Sequence, residues 1–179
     1  DGKFYLTQAR PVTTMKVGHD DEDQGDEERA PVLLSGQPAS PGVGVGIIRV
    51  VHDPHDIDIV KPGDVLVAEM TTPDFVPAMK RASAIITERG GRTCHAAIVS
   101  RELGIPCVVG AQGATTALAV DREVTVDGST GKVFDGRAEA RLAWYERQKV
   151  KYAAASALKT TTRLYVNLAE PELAERIAQ

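Results

Sequence analysis

The rhythm of apolar and polar positions changes repeatedly along this chain, and each change marks an element. Short apolar runs bounded by Gly, Pro, Ser or Asp predict strands at Val32-Leu33-Leu34, Gly46 to Val51, Asp64 to Ala68 and Ser83 to Thr87. Further runs follow at Pro106 to Gly110, Glu123 to Asp127 and Lys132-Val133-Phe134. The turn Ser40-Pro41-Gly42-Val43-Gly44 joins the first two, and Gly128-Ser129-Thr130-Gly131 closes the last two into a hairpin. Helical spacing intervenes twice. Thr71-Thr72-Pro73-Asp74 reads as a helix start with Thr as cap and Pro at the first position, although Pro77 unsettles the first turn. Ala96, Ile98, Val99 and Leu103 carry a second helix that stops at Gly104-Ile105-Pro106. Strand, helix and strand thus surround this second helix, and residues 32–136 read as one mixed β/α domain.

The flanks differ in pattern. Residues 1–14 read as a hairpin turn and strand cut from something larger, so the chain is expected to begin mid-protein. Residues 15–31 form an acidic linker, with seven acids and no apolar residue between Gly18 and Arg29. Residues 137–162 are expected to be a connecting helix and linker. Arg137 to Leu158 holds no Gly or Pro, Ala138, Leu142, Tyr145 and Tyr152 fall on one side, and Thr160-Thr161-Thr162 breaks the pattern. Residues 163–179 start a new strand at Arg163 to Leu168 and a helix from about Pro171, so the chain is expected to end mid-protein as well.

Composition narrows the class. With 179 residues, a net charge of −4 and 42% hydrophobic residues, the chain can bury one ordinary core and carry extensions. Its apolar runs stop short of the roughly 20 residues of a membrane span, so a cytoplasmic protein is expected. The acidic balance and 4% aromatic content argue against a nucleic-acid surface. Two cysteines make no disulfide framework and suit a reducing cytosol.

The candidate chemistry lies in Gly90-Gly91-Arg92-Thr93-Cys94-His95-Ala96-Ala97-Ile98-Val99, where a glycine turn passes into an apolar helix. Taking Thr93 as N-cap puts Cys94 at the first helical position and His95 at the second, among N–H groups without intrahelical partners. Those donors and the positive end of the helix favour an anion, and Arg92 adds a cation shaped for two phosphate oxygens. A phosphoryl group on the imidazole would sit within their reach. A histidine at a helix start is often no more than an accessory cap, but the Gly-Gly turn and the Arg, Thr and Cys neighbours favour function. Thiol catalysis by Cys94 is disfavoured because neighbours at a helix start point about 100° apart. Zinc binding is disfavoured because Cys94, Cys107 and the scattered histidines match no ligand spacing. His19, His52 and His55 lie in acidic or Pro-rich loops and read as solvated.

Gly90 to Gly110, with Thr71-Thr72-Pro73-Asp74 upstream, resembles the phosphohistidine domain of the enzymes that use phosphoenolpyruvate. That family includes phosphoenolpyruvate synthases, pyruvate phosphate dikinases and enzyme I of the sugar phosphotransferase system. The resemblance covers about 105 of the 179 residues. It implies a swivelling β/β/α domain with a mixed sheet, in which His95 is phosphorylated during turnover. Leu6-Thr7-Gln8-Ala9-Arg10-Pro11 resembles the last strand of an ATP-grasp nucleotide domain, which implies that Gln8 helps hold a metal and that Arg10 contacts nucleotide phosphates. Leu164 to Pro171 resembles the first strand of the pyruvate-binding (β/α)8 barrel. Arg-Thr-Cys-His is similar to the synthases, whereas the dikinases usually carry Met-Thr-Ser-His.

The resemblance therefore implies a relay. His95 accepts the β-phosphoryl group of ATP with Mg2+, γ-phosphate is lost to water, and His95 hands its phosphoryl group to pyruvate. A dikinase using phosphate as co-substrate and a non-catalytic swivel module remain as alternatives. The family also implies that Thr93 is phosphorylated by a regulatory kinase and restored by a phosphorylase. The partners are then the chain's own ATP-grasp and barrel domains, in a homo-oligomer as full-length enzyme, with the isolated piece inactive. Residues 16–31 would span about 50–55 Å fully extended, which suits a tether between two sites.

Overall fold

Val65-Leu66-Val67-Ala68, Ala84-Ile85-Ile86 and Cys107-Val108-Val109 are apolar at every position, so strands built from them must be covered on both faces. The computed structural model, which describes residues 30–118 and 120–155, shows how. Its strands are β1 (Val32–Ser35), β2 (Gln37–Ser40), β3 (Val43–Val51), β4 (Val65–Ala68), β5 (Ala84–Thr87), β6 (Cys107–Val109), β7 (Glu123–Asp127) and β8 (Lys132–Asp135). Its helices are α1 (Val76–Arg81), α2 (His95–Leu103), α3 (Ala114–Ala117) and α4 (Glu139–Ala155). Apart from Ala153–Ala155, all of these belong to one unit bounded by Asp26 and Tyr152. The expected ATP-grasp strand with Gln8 and Arg10, most of the acidic linker and the expected barrel strand lie outside the described residues.

The strands form one mixed sheet in the order β1-β8-β7-β3-β4-β5-β6-β2. Strands β3 to β6 run parallel, while β7, β8, β1 and the edge strand β2 pair antiparallel with their neighbours. Only Gly36 separates β1 from β2, yet they stand at opposite ends of this order, so the sheet must fold round on itself. β3 is the shared spine, pairing with β7 through Val43–Ile47 and with β4 through Ile48–Val51. The closure requires a glycine. Gly36 N–H donates to Gly131 C=O at 2.8 Å, and a Cβ at Gly36 would lie 2.7 Å from the Val109 carbonyl oxygen.

Strand alternation then makes three layers. Val65, Val67, Ala84, Ile86 and Val108 point between the two β layers and meet Ile48, Val124, Val126 and Val133. Leu66, Ala68, Ile85, Cys107 and Val109 point the other way, onto Ala78 and Met79 of α1 and Ala96 and Ala97 of α2. Each large apolar side chain buried here contributes about 1.5–3 kcal/mol. The arrangement is the β/β/α architecture that the resemblance implies.

Several local expectations change. Gln37-Pro38-Ala39-Ser40 is an additional strand, and Pro38 fits because β2 is at an edge, where a missing N–H is tolerated. Thr72 is the residue before Pro73, but its side chain makes no capping bond, and a 3-10 turn over Pro73–Phe75 precedes α1. The final helix starts at Glu139, and its first turns are fastened to the domain. Arg141 Nε donates to Asp127 at 2.5 Å, and the Arg141 guanidinium carbon lies 4.2 Å from the Trp144 ring centroid. Asp127 is fully buried and also accepts the N–H groups of Ser129 and Thr130. Thr125 Oγ1 donates to Gly136 C=O and accepts from Ala138 N–H, each at 2.8 Å, so the chain is held where it leaves the hairpin.

Candidate functional site

Parallel strands in a helix-covered sheet deliver loops and helix N-termini to their C-terminal ends. Here β4 leads to Met70-Thr71, β5 leads to Glu88-Arg89-Gly90, and β6 leads to Gly110-Ala111. Backbone bonds tie them together: Glu88 N–H donates to Ala68 C=O, Arg89 N–H to Glu69 C=O, and Ala111 N–H to Thr87 C=O. Thr87 is fully buried and its hydroxyl donates to Arg89 C=O at 2.8 Å, which folds the exit of β5. Gly90 adopts φ +107°, open to glycine at no steric cost, and a Cβ there would come within 2.9 Å of Cys94 Sγ.

The next four residues correct the expected cap. Cys94 N–H donates to Gly91 C=O at 2.9 Å, closing a tight turn whose centre is Arg92 and Thr93. Thr93 is consumed by this turn and is not the N-cap. Cys94 is extended (φ −71°, ψ 166°), its carbonyl accepts the helical bond from Ile98 N–H, and it makes no side-chain capping bond. His95 is therefore the first residue of α2 rather than the second. The N–H groups of His95, Ala96 and Ala97 have no carbonyl one turn earlier in the helix to bond. They form the positive end of a nine-residue helix.

His95 is half-buried, and the sequence reading missed what holds it. Thr71 Oγ1 lies 3.0 Å from His95 Nδ1, with Thr71 itself buried. A hydroxyl can donate or accept, so two tautomers satisfy the contact. When Nδ1–H donates to Thr71, Nε2 keeps its lone pair and is the nucleophilic nitrogen. The signal lay in Thr71-Thr72-Pro73-Asp74, which the chain pattern assigned to helix capping. A hydroxyl one loop beyond a buried parallel strand faces whatever follows the neighbouring strand, and here that is α2.

A cavity of about 50 Å³ adjoins the ring, lined in part by Met70, Thr71, Thr87, Gly90 and Cys94. Because water occupies about 30 Å³ in the liquid, the cavity can hold one or two waters but no nucleotide. A second space of about 730 Å³ is an open groove walled by Asp53, His55, Ile57, Pro73, Asp74 and Pro77, and His95 is not among its walls. Neither space offers His95 a nucleotide-sized site.

Arg92 and Thr93 are exposed at the crest of the turn. They precede His95 as the sequence reading requires, whereas Gln8 and Arg10 fall outside the described residues. Glu88 ties the exit of β5 to α3. Its carboxylate accepts from the Thr115 hydroxyl at 2.5 Å and the Thr115 N–H at 3.2 Å, and these bonds hold its pKa below the usual carboxylate value. Cys94 is half-buried beside the cavity, while burial pushes the Cys107 thiol up to about 12. His55 and His52 are exposed, as read from the sequence. Among the described residues no group of three or more His, Cys, Asp or Glu could hold a metal ion, and no helix is long and apolar enough to cross a membrane.

Residues 60–131 match the family described as PEP-utilising enzyme, mobile domain. The chain is 50% identical to the phosphoenolpyruvate synthase of Pyrococcus furiosus over 99% of its own length and 22% of that protein. It is 49% identical to the phosphoenolpyruvate synthase of Pseudomonas aeruginosa over 76% of its length and 18% of that protein. Among solved structures, Enzyme I (nEIt) is similar at 32% identity and a TM-score of 0.44, covering 55% of this chain and 40% of that one. The chain thus spans about a fifth of the length of the curated relatives it matches.

Proposed function

We propose that the chain belongs to the phosphoenolpyruvate-utilising enzymes through this mobile domain, and that it is the phosphocarrier of a phosphoenolpyruvate synthase, with His95 as the carrier. The observation that carries the reading is the contact between Thr71 Oγ1 and His95 Nδ1 at the N-terminus of α2. It occupies Nδ1 and leaves Nε2 as the ring nitrogen open to attack, nucleophilic in the tautomer where Nδ1–H donates, at a helix end that favours anions. In the first step Nε2 attacks the β-phosphorus of ATP, the N–P bond forms, and the bond to the bridging oxygen breaks to release AMP. Water then takes the γ-phosphoryl group as inorganic phosphate. Finally the enolate oxygen of pyruvate, formed by loss of a methyl proton, attacks the remaining phosphorus and the N–P bond breaks. Neutral imidazole is regenerated, and the products are phosphoenolpyruvate, AMP and phosphate.

ATP with Mg2+ and pyruvate would be bound by other domains, since the cavity beside His95 holds only water-sized molecules. Gln8 and Arg10 are proposed for the nucleotide side, and Arg92 for stabilising the transferred group. Thr93, exposed at the crest of the turn, is the proposed site of a regulatory kinase. A phosphate there would set about two negative charges before His95 and repel the incoming phosphoryl group.

The test uses the full-length enzyme with ATP labelled in the β-phosphate. The expected result is acid-labile, alkali-stable label on the protein that disappears completely in His95→Ala. Label that survives His95→Ala would overturn the carrier role, and a wild type that takes up no acid-labile label would be a non-catalytic module. Release of inorganic phosphate without a requirement for added phosphate supports the synthase, and a strict requirement for it would make the enzyme a dikinase.

A further inference from the structure

The turn that carries His95 into α2 has two glycines behind it, an exposed crest, and one backbone bond across it. Such a turn could shift by an ångström without disturbing either core. Arg101 opposes such a shift. Arg101, six residues after His95 on the last turn of α2, reaches back along the helix in the direction that helical side chains favour. Its Nη2 donates to the carbonyl of Arg92 at 3.0 Å, and its Nη1 donates to the carbonyl of Ala39 at 2.8 Å. Ala39 lies in edge strand β2, which is fixed by pairing with β6 and by the Ser40 hydroxyl bonded to Ser100 C=O. One planar guanidinium therefore joins the crest of the histidine turn to the sheet.

We propose that Arg101 is a positioning residue for phosphoryl transfer, holding the Arg92 peptide so that the His95 ring and the free N–H groups of α2 keep one geometry in both half-reactions. The role needs a fork. A lysine supplies one point donor and can reach one carbonyl at a time, whereas the guanidinium fixes the spacing between two. The inference rests on His95 being the carrier, and it adds a residue that never contacts substrate. Because ATP and pyruvate would bind to other domains, a misplaced turn slows transfer and leaves their binding unchanged. Misplacement of a reacting group by about 1 Å can cost up to 10²-fold in rate.

The experiment compares full-length wild type, Arg101→Met and Arg101→Lys in two single-turnover measurements, loading of label from ATP and discharge of label to pyruvate. Arg101→Met is expected to slow both by roughly tenfold or more per folded molecule, with KM for ATP and pyruvate unchanged. Arg101→Lys is expected to recover part of each rate. Equal rates per folded molecule in all three proteins would overturn the role, as would a fall in one half-reaction only or a rise in either KM. These failures are distinguishable from failure of the carrier reading, because that reading is judged by label surviving in His95→Ala.

Discussion

The two ends of the same parallel strands have been put to different uses. At their N-terminal ends, charges are matched within the domain. Arg49 pairs with Asp64 at 3.0 Å and with Asp121, and Asp64 also accepts the N–H of Lys61. Ser83 donates its N–H and its hydroxyl to Asp64 C=O, and Arg81 donates to the carbonyls of Ile57 and Val60. At the C-terminal ends the groups are of another kind: the hydroxyls of Thr71 and Thr87, Gly90, and a histidine at a helix start. The first end satisfies its polar groups internally, so it stabilises. The second presents a half-buried imidazole at a helix N-terminus, which suits the phosphoryl transfer proposed for it. Substitutions should separate stability from transfer according to the end they touch.

The largest separation is expected at the structural end. Arg81→Ala removes two hydrogen bonds from a charged donor to backbone carbonyls, at 3.1 and 2.8 Å, from a side chain 32% exposed. The domain should lose about 2 kcal/mol in urea unfolding. Its rate of loading from ATP, measured per folded molecule, should not change. A loading rate that falls with stability intact would erase the proposed division between the ends.

The sequence made one end far more legible than the other. Apolar runs such as Val65 to Ala68 announce buried strands because every position is apolar, and β7 falls on Glu123–Asp127 as expected. His95 stands out because a Gly-Gly turn, Arg and Thr precede it. What could not be read depends on contacts between distant residues. Thr71 meets His95 only because β4 and β5 are parallel neighbours, and local pattern alone makes it a helix cap. Thr93 is the better N-cap by composition, but the backbone bond between Cys94 and Gly91 takes it into a turn. β2 was hidden because Gln37-Pro38-Ala39-Ser40 has no apolar alternation, and only the edge of β6 gives it a partner.

At the other end, Thr71→Val tests the contact that orients the imidazole. Valine has the shape of threonine without the hydroxyl, so packing is preserved while His95 Nδ1 loses its partner. Water in the adjoining cavity can replace part of that bond, which limits the effect. Loading should slow roughly three- to tenfold, corresponding to about 0.5–1.5 kcal/mol for one hydrogen bond. Thr71→Ser should restore the rate, and the imidazole nitrogen shifts in NMR should report a mixed tautomer in Thr71→Val alone. Wild-type loading in Thr71→Val would mean that the ring needs no fixed tautomer.

The smallest effect concerns the two cysteines, one on each side of the comparison. Cys107 opens β6 at the structural end and is fully buried, with its thiol pushed up to about 12 by desolvation. Cys94 lies at the site end and is half-buried. Because burial disfavours the Cys107 thiolate in the folded state, the unfolded chain gives up this proton first as pH rises. Stability from this thiol is therefore complete below the unfolded value of 9.0 and is lost progressively as pH climbs toward 12. The loss is small, below about 1 kcal/mol up to pH 9.5, because the unfolded thiol is only half ionised at pH 9. Cys107→Ala removes this component, so the stability difference between wild type and Cys107→Ala should narrow by that amount between pH 7 and 9.5. In the native protein at pH 8, a thiol-specific disulfide reagent should modify Cys94 well before Cys107. Parallel pH profiles, or equal reactivity of the two thiols, would show that the structural end is as open to solvent as the site it supports.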